Sequence, residues 1–295
     1  MDAKSNFIVS LLDASAGLLL VGGKGASLAR LAAAGLPVPD GFQVTTEAYR
    51  LFVAEHGLQE QILAAAVAAN PDQPATFEEA SSQIRQLFIQ HTMPDEIAEA
   101  VRHAYARPGK GEVPVAVRSS ATAEDLPEMS FAGQQETYLN ICGVEAVLEA
   151  VKKCWASLWT ARAMAYRARQ GIASDSVALA VVVQELVIAD AAGIMFTANP
   201  LSGKRDEIVI NAAWGLGEAI VSGAVTPDTL TVEKTTGRII SRETAEKQIM
   251  TVRTETGTQE KPVPDAQKKK AVLSDAQAVE LANLGAKIEK LYEMP

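Results

Sequence analysis

Apolar residues recur at three- and four-residue steps through most of the first hundred positions, which predicts a largely helical start. A short helix is predicted over Gly25 to Ala34, opening directly after Gly22-Gly23-Lys24. Gly35 ends it, and Pro37 and Pro39 keep the next segment extended. Phe42-Gln43-Val44 reads as a short strand. Thr45 or Thr46 then caps a helix with Tyr49, Leu51, Phe52 and Val53 on its apolar face. Further helices are predicted around 58–69, 77–90 and 95–106, the first two separated by Asn70-Pro71-Asp72-Gln73-Pro74.

The period changes near Val113. Val113 to Arg118 predicts a strand that ends in a polar loop from Ser119 to Asp125, and Thr137 to Asn140 predicts another. Val144 to Gln170 predicts one long helix, with Gly171 as its stop. Val177–Val187 and Gly193–Thr197 flank a turn at Ala189-Asp190 and read as a hairpin. Strands are also predicted at Glu207–Asn211, Thr229–Glu233, Ile239–Ile240 and Gln248–Val252. Residues 253–270 are polar and read as an exposed connection. Ser274 and Gln277 form a capping box for a last helix, with Leu281, Leu284, Ile288 and Leu291 as its buried stripe. Helices mixed with strands that meet in hairpins predict an α+β fold with mostly antiparallel sheets rather than a doubly wound parallel one. No repeat or low-complexity tract interrupts the chain.

Length and composition narrow the class. The 295 residues are 48% hydrophobic and 21% charged, an ordinary balance for a folded chain of about two domains. A formal charge of −9 argues against nucleic-acid or anionic-membrane partners, both of which select a basic surface. No apolar run reaches the length of a membrane span, and the N-terminus lacks the pattern of a signal peptide. Cys142 and Cys154 are too few for a disulfide scaffold and read as reduced thiols of a cytoplasmic protein.

Five segments are candidates for chemistry. Val21-Gly22-Gly23-Lys24-Gly25 places a lysine and glycines at a helix start, which suits phosphate; a tight turn that needs glycine dihedrals is the alternative. Arg118 at a strand end, followed by Ser119 and Ser120, suits phosphate oxygens; an ion pair with Glu124 or Asp125 is the alternative. In Phe131 to Thr137, Gly133 allows close backbone approach and Thr137 offers a hydroxyl, or the segment is a simple hairpin turn. Gln184-Glu185-Leu186-Val187 ends an apolar strand whose backbone can read a base, or is a plain buried strand. Glu218, after Trp214-Gly215-Leu216-Gly217, can meet a ribose hydroxyl or a magnesium ion, or simply start a helix. His56, His91 and His103 fall in helical segments away from cysteines and carboxylate clusters and read as structural or exposed.

Taken together and in order, these segments resemble the nucleotide-binding domain of phosphoenolpyruvate synthases and pyruvate phosphate dikinases. The resemblance rests on the segments beginning Val21-Gly22-Gly23-Lys24-Gly25, Val38-Pro39-Asp40-Gly41-Phe42, Val117-Arg118-Ser119-Ser120, Ser130-Phe131-Ala132-Gly133 and Trp214-Gly215-Leu216-Gly217-Glu218, and covers about residue 17 to the end. It implies an ATP-grasp-type fold that binds ATP and Mg2+, with ATP held between lobes. It divides the chain into a helical N-terminal part (1–110), a central part (111–190) and a C-terminal part (191–295). It assigns Lys24 and Arg118 to the phosphates as the catalytic pair, and Gly133 and Thr137 to the loop over them. Gln184 goes to the adenine with the backbone of Glu185, Leu186 and Val187, and Glu218 to ribose or metal. The partner it implies is a swivelling domain with a phosphoryl-accepting histidine, in the same chain or another, with pyruvate bound further on. The expected acidic metal-binding motif and a Gln-x-Arg pair fall beyond Pro295, so the chain reads as a fragment or a split gene product, inactive alone. Rifamycin phosphotransferases share the same motifs and are the alternative reading, together with a stand-alone nucleotide-binding module.

Overall fold

The computed structural model describes residues 7–69, 73–106, 112–122, 136–175 and 177–295. The chain divides into two compact units, Met1–Leu186 and Val187–Pro295. The first runs β1 (Ile8–Ser10), α1 (Leu18–Ala33), β2 (Gly41–Val44), α2 (Thr46–Glu55), α3 (Gln59–Ala68), α4 (Pro74–Gln90) and α5 (Asp95–Tyr105). It continues through β3 (Val115–Ala121), β4 (Thr137–Ile141), α6 (Val144–Ser157), α7 (Ala161–Gln170) and β5 (Leu179–Glu185).

Its strands form one sheet in the order β1-β2-β5-β3-β4, with every neighbour antiparallel. Side chains alternate across a strand. One face sends Phe42, Val44, Val117, Val181 and Val183 into the main core, shared with Tyr49, Phe52 and Val53 of α2, Phe88 of α4 and Trp155 of α6. Phe52 and Phe88 stack at 5.6 Å within it. The other face carries Gln43, Arg118, Ser120, Val182 and Gln184, and α1 packs there against β3 and β5.

Several expectations change in this unit. Strand β3 does not end at Arg118: Ser119, Ser120 and Ala121 pair with Val181, Ala180 and Leu179 of β5, so the two serines are buried strand residues rather than loop hydroxyls. The helix after the glycines is joined to an earlier turn, Leu18–Val21, across a break at Gly22. Thr45 occupies the N-cap of α2, but its side chain makes no capping hydrogen bond. The long helix predicted over Val144–Gln170 is two. It breaks after Ser157, and Thr160 caps α7 by accepting from the Ala163 N–H at 3.3 Å. At the break Trp159 is buried and donates through Nε1 to the Tyr49 hydroxyl (3.1 Å), a tertiary bond that no helical period encodes. Gly171 ends α7 in the left-handed conformation (φ 67°), as predicted.

The second unit holds β6 (Ala191–Phe196), β7 (Glu207–Trp214), α8 (Glu218–Val221), β8 (Asp228–Glu233), β9 (Ile239–Glu243), β10 (Ile249–Thr254), β11 (Gly257–Pro262), α9 (Asp265–Lys268) and α10 (Asp275–Tyr292). Strands β6 to β9 form an antiparallel sheet in chain order. The predicted hairpin of 177–187 with 193–197 is therefore absent: β5 is central in the first sheet and β6 pairs with β7 in the second. The polar segment 253–270 is no bare connection, because β11 pairs with β10 in a two-stranded ribbon and α9 follows.

Helix α10 begins with the predicted Ser274/Gln277 capping box, yet its buried seam differs. Ala278 and Ala282 pack on Ile208, Ile210, Leu230 and Val232 of β7 and β8, while Leu281, Leu284, Ile288 and Leu291 are only half-buried. Small residues win the seam because they let the helix axis come closer to the sheet. A Cβ on Gly285 would lie 2.8 Å from Met195 Cε. The interior of this unit also holds an ion pair, Lys247 with Asp228, both fully buried. Asp228 accepts in addition from the N–H groups of Ala245 (3.0 Å) and Val272 (2.8 Å). No described helix is long and apolar enough to cross a membrane.

Candidate functional site

The site is built on the α1 face of the first sheet, and the glycine elbow is its first element. Gly22 adopts φ 69° and ψ 174°, a region open essentially only to glycine. The break turns the chain so that Gly23 restarts the helix and Lys24 lies beside β3. Lys24 Nζ donates to the Ser119 carbonyl at 3.1 Å. Beneath it, Ser120 Oγ donates to Val21 O (2.8 Å) and accepts from the Gly25 N–H (3.1 Å). A Cβ on Gly22 would stand 2.1 Å from Ser120 O, and one on Gly25 would stand 1.8 Å from Gln43 Oε1. The elbow thus meets the sheet backbone to backbone.

Arg118 is the second element. It lies on β3 between Val182 of β5 and Thr137 of β4, its partners in register. Register partners share a face, so the Arg118 guanidinium and the exposed Thr137 hydroxyl emerge on one side of the sheet. Arg118 is half-buried, and among the described residues it makes no ion pair. Burial alone pushes its pKa below the ordinary arginine value. The carboxylates weighed as its partners, Glu124 and Asp125, lie outside the described residues, as does Gly133. The chain returns from that stretch at Glu136, whose carbonyl accepts from both the backbone N–H and the hydroxyl of Ser119 at 3.3 Å each.

Gln184 follows on the same face, one pair along β5, opposite Gly41 and Ala116. It is buried, and its Nε2 donates to Pro39 O at 3.0 Å, which leaves the amide oxygen as its acceptor. The Glu185 N–H donates to Asp40 O (2.8 Å) and the Leu186 N–H to Pro114 O (2.9 Å), so both backbone donors are committed within the fold. Val187, at the start of the second unit, is exposed. Glu218 opens α8 in that unit, and its Oε2 is buried without a hydrogen-bond partner.

The histidines stand apart. His56 Nε2 bonds to Thr92 O (2.9 Å), His91 Nδ1 to Leu87 O (2.7 Å), and His103 is exposed on α5. Neither cysteine is in a disulfide, and burial pushes the Cys154 thiol well above its ordinary pKa. Sequence reasoning missed Gln43, which it treated as an ordinary strand residue, and gave Ser120 a ligand-facing role in a loop. The one signal for Gln43 was an amide flanked by Phe42 and Val44 in a short apolar strand.

An α+β protein with a glycine elbow, a lysine beside the sheet and, on it, an arginine that makes no ion pair among the described residues has the features of an anion-binding protein. The comparisons specify which. Residues 18–295 match the family described as "Pyruvate phosphate dikinase, AMP/ATP-binding domain", and the chain belongs to that family. It is similar to a probable phosphoenolpyruvate synthase of Methanocaldococcus jannaschii, 50% identical over 94% of this chain and 24% of that protein. A probable phosphoenolpyruvate synthase of Pyrococcus horikoshii is 46% identical over 94% of this chain and 39% of its own length. A rifampicin phosphotransferase of Streptomyces sviceus is 44% identical over 94% of this chain and 32% of its own length. The chain thus spans well under half the length of these curated relatives. It is an ATP-binding domain of a phosphotransferase family.

Proposed function

We propose that ATP binds with its phosphates on the α1 face of the first sheet, held by Lys24 and Arg118 in an ATP-grasp-type arrangement. The observation that supports this most directly is Arg118, a half-buried guanidinium with no ion pair among the described residues and a pKa lowered by burial. A triphosphate would restore the charge balance that burial removes. Lys24 acts as a compact charge and Arg118 as a planar fork, so the two meet different phosphate oxygens. Thr137, in register with Arg118, adds a hydroxyl, and Gly133 is assigned to the same loop. Gln184 would meet the adenine through its amide oxygen, beside the backbone of Glu185, Leu186 and Val187.

Phosphoryl transfer is largely positioning and charge neutralisation, which is what a lysine of α1 held against β3 and an arginine on β3 can supply. Magnesium takes few carboxylates and several phosphate oxygens. Glu218 keeps one buried oxygen without a hydrogen-bond partner. Glu218 is accordingly the residue assigned to metal or ribose, and a bound Mg2+ would supply charge neutralisation on the phosphates.

For the whole protein, the reading is a phosphoenolpyruvate synthase acting in the cytoplasm: ATP, pyruvate and water give phosphoenolpyruvate, AMP and phosphate. The β-phosphoryl group would pass through a phosphohistidine on a swivelling domain, in the same chain or in trans. Identities of 46–50% to proteins named phosphoenolpyruvate synthase support it. The 44% identity to rifampicin phosphotransferases supports a second reading with the same ATP chemistry and another acceptor. The test is calorimetric titration of the intact protein with Mg–ATP, beside Lys24→Met and Arg118→Ala. Both variants should bind at least about tenfold more weakly while unfolding at the wild-type temperature. Wild-type affinity in both would refute the assignment. AMP release that requires pyruvate, or instead rifampicin, separates the two acceptors.

A further inference from the structure

We infer that Ser120 is a positioning residue for Lys24, and that it acts by pinning the glycine elbow to β3. The inference rests on the reading of Lys24 as a phosphate ligand. Ser120 is fully buried, and both functions of its hydroxyl are used inside the chain. Its proton goes to Val21 O, the last carbonyl before the break, and its oxygen accepts from the Gly25 N–H just beyond Lys24. One hydroxyl therefore ties both arms of the elbow to one point on the sheet. It has no proton left to offer a phosphate, so a direct ligand role is excluded by its own bonds.

The neighbouring contacts point the same way. Lys24 donates through its tip to the carbonyl of Ser119, and the N–H of Gly25, the next residue, donates to the hydroxyl of Ser120. Arg118 precedes both on the same strand. The separation of the Lys24 and Arg118 charges is thus set by three consecutive residues of β3 and by the length of the Ser120 bonds. Gln43 backs the elbow from β2: its amide is 0% exposed, neither polar atom has a hydrogen-bond partner, and it lies directly under Gly25. An unpaired buried amide is unfavourable. It is tolerated here as a wedge that leaves room for no side chain at Gly25. Two groups placed by one strand need only a small drift to lose their joint grip on a phosphate.

The experiment is a double-mutant cycle in the intact protein with Ser120→Ala, Lys24→Met and the pair together. Calorimetric titrations with Mg–ATP and with adenosine read it, and Ser120→Cys serves as the size-matched variant. Ser120→Ala should weaken Mg–ATP by about tenfold and leave adenosine unchanged. The double variant should bind Mg–ATP no more weakly than Lys24→Met alone, because Ser120 acts only through Lys24. Ser120→Cys should fall between wild type and Ser120→Ala, and it carries the test if the alanine variant does not fold. Wild-type Mg–ATP affinity in the serine variants, an equal loss for adenosine, or a loss that adds fully to that of Lys24→Met would overturn the inference while the phosphate reading stands. Wild-type affinity in Lys24→Met would overturn that reading and the inference with it.

Discussion

Arg118 and Thr137 stand opposite each other in the antiparallel pairing of β3 with β4, although residues 119–136 separate them in sequence. The pairing brings a cation and a hydroxyl to one face of the sheet beside Lys24, and it makes the shape of the cation as important as its charge. Arg118→Lys keeps the charge but loses the planar fork. Titration of this variant with Mg–ATP should show affinity reduced by about tenfold, close to Arg118→Ala rather than to wild type. Affinity within twofold of wild type would mean that Arg118 contributes charge alone.

Gly22 is the position where the site depends most on the absence of a side chain. Its φ of 69° with ψ of 174° is unfavourable for any other residue by about 1–3 kcal/mol. An added methyl would also collide with the Ser120 carbonyl at 2.1 Å, a backbone atom that cannot rotate away. Gly22→Ala is expected to lose at least about 2 kcal/mol in urea unfolding and to lose Mg–ATP binding together with it. Gly35 offers the control. It also has positive φ (74°), but nothing lies within 4 Å of an added Cβ, so Gly35→Ala should cost only about 1 kcal/mol and leave binding intact.

The Asp228–Lys247 pair predicts a sharp asymmetry between single and double replacement. Both side chains are at 0% exposure, so removing one partner strands a buried charge. Lys247→Met should destabilise the protein by about 3–5 kcal/mol. The combined Asp228→Asn, Lys247→Met variant should recover part of that loss, because no buried charge is left unpaired; the recovery is partial, since Ala245 and Val272 donate to different carboxylate oxygens and the single amide oxygen can accept from only one of them. Chemical unfolding of the single and double variants checks this. A loss under about 1 kcal/mol for Lys247→Met would contradict the burial argument.

Tyr49 gives the alkaline limb of stability a definite sign. Burial pushes its hydroxyl up to about 12 from an ordinary value of 10. Between those values the folded state keeps a proton that the unfolded chain releases, so this stabilisation is complete below pH 10 and lost as pH rises towards 12. Arg167, with its guanidinium 5.0 Å from the Trp159 ring and its pKa pushed down to about 10 by burial, titrates in the opposite sense. Tyr49→Phe isolates the first effect. It should cost about 1 kcal/mol at neutral pH, since the buried Trp159 N–H loses its acceptor. Its stability should then fall less steeply than that of wild type between pH 10 and 12, measured by urea unfolding at each pH. Equal slopes would place the Tyr49 hydroxyl in water.

What could be read from the residues alone is local. The capping box at Ser274 and Gln277, the left-handed stop at Gly171 and the glycine elbow before Lys24 each depend on a few neighbouring residues. The ordered motifs around Lys24, Arg118, Gly133 and Glu218 were sufficient to indicate the family, because motif order survives without any knowledge of contacts. Periodicity, however, reports which side of an element is apolar and not what it meets. It joined α6 to α7 because the bond that parts them, Trp159 to Tyr49, spans 110 residues. It paired β5 with β6 because adjacency in sequence is the cheapest guess, whereas β5 gains more by lying between β2 and β3. It assigned leucines to the seam of α10, where alanines and a glycine allow closer approach. Ser120 looked like a loop hydroxyl until β3 was seen to run on to Ala121 and its partner Val21 arrived from 99 residues away. Local dihedral and capping preferences are properties of the chain itself. Which polar group is buried, and against whom, is settled only when distant segments exclude water from one another.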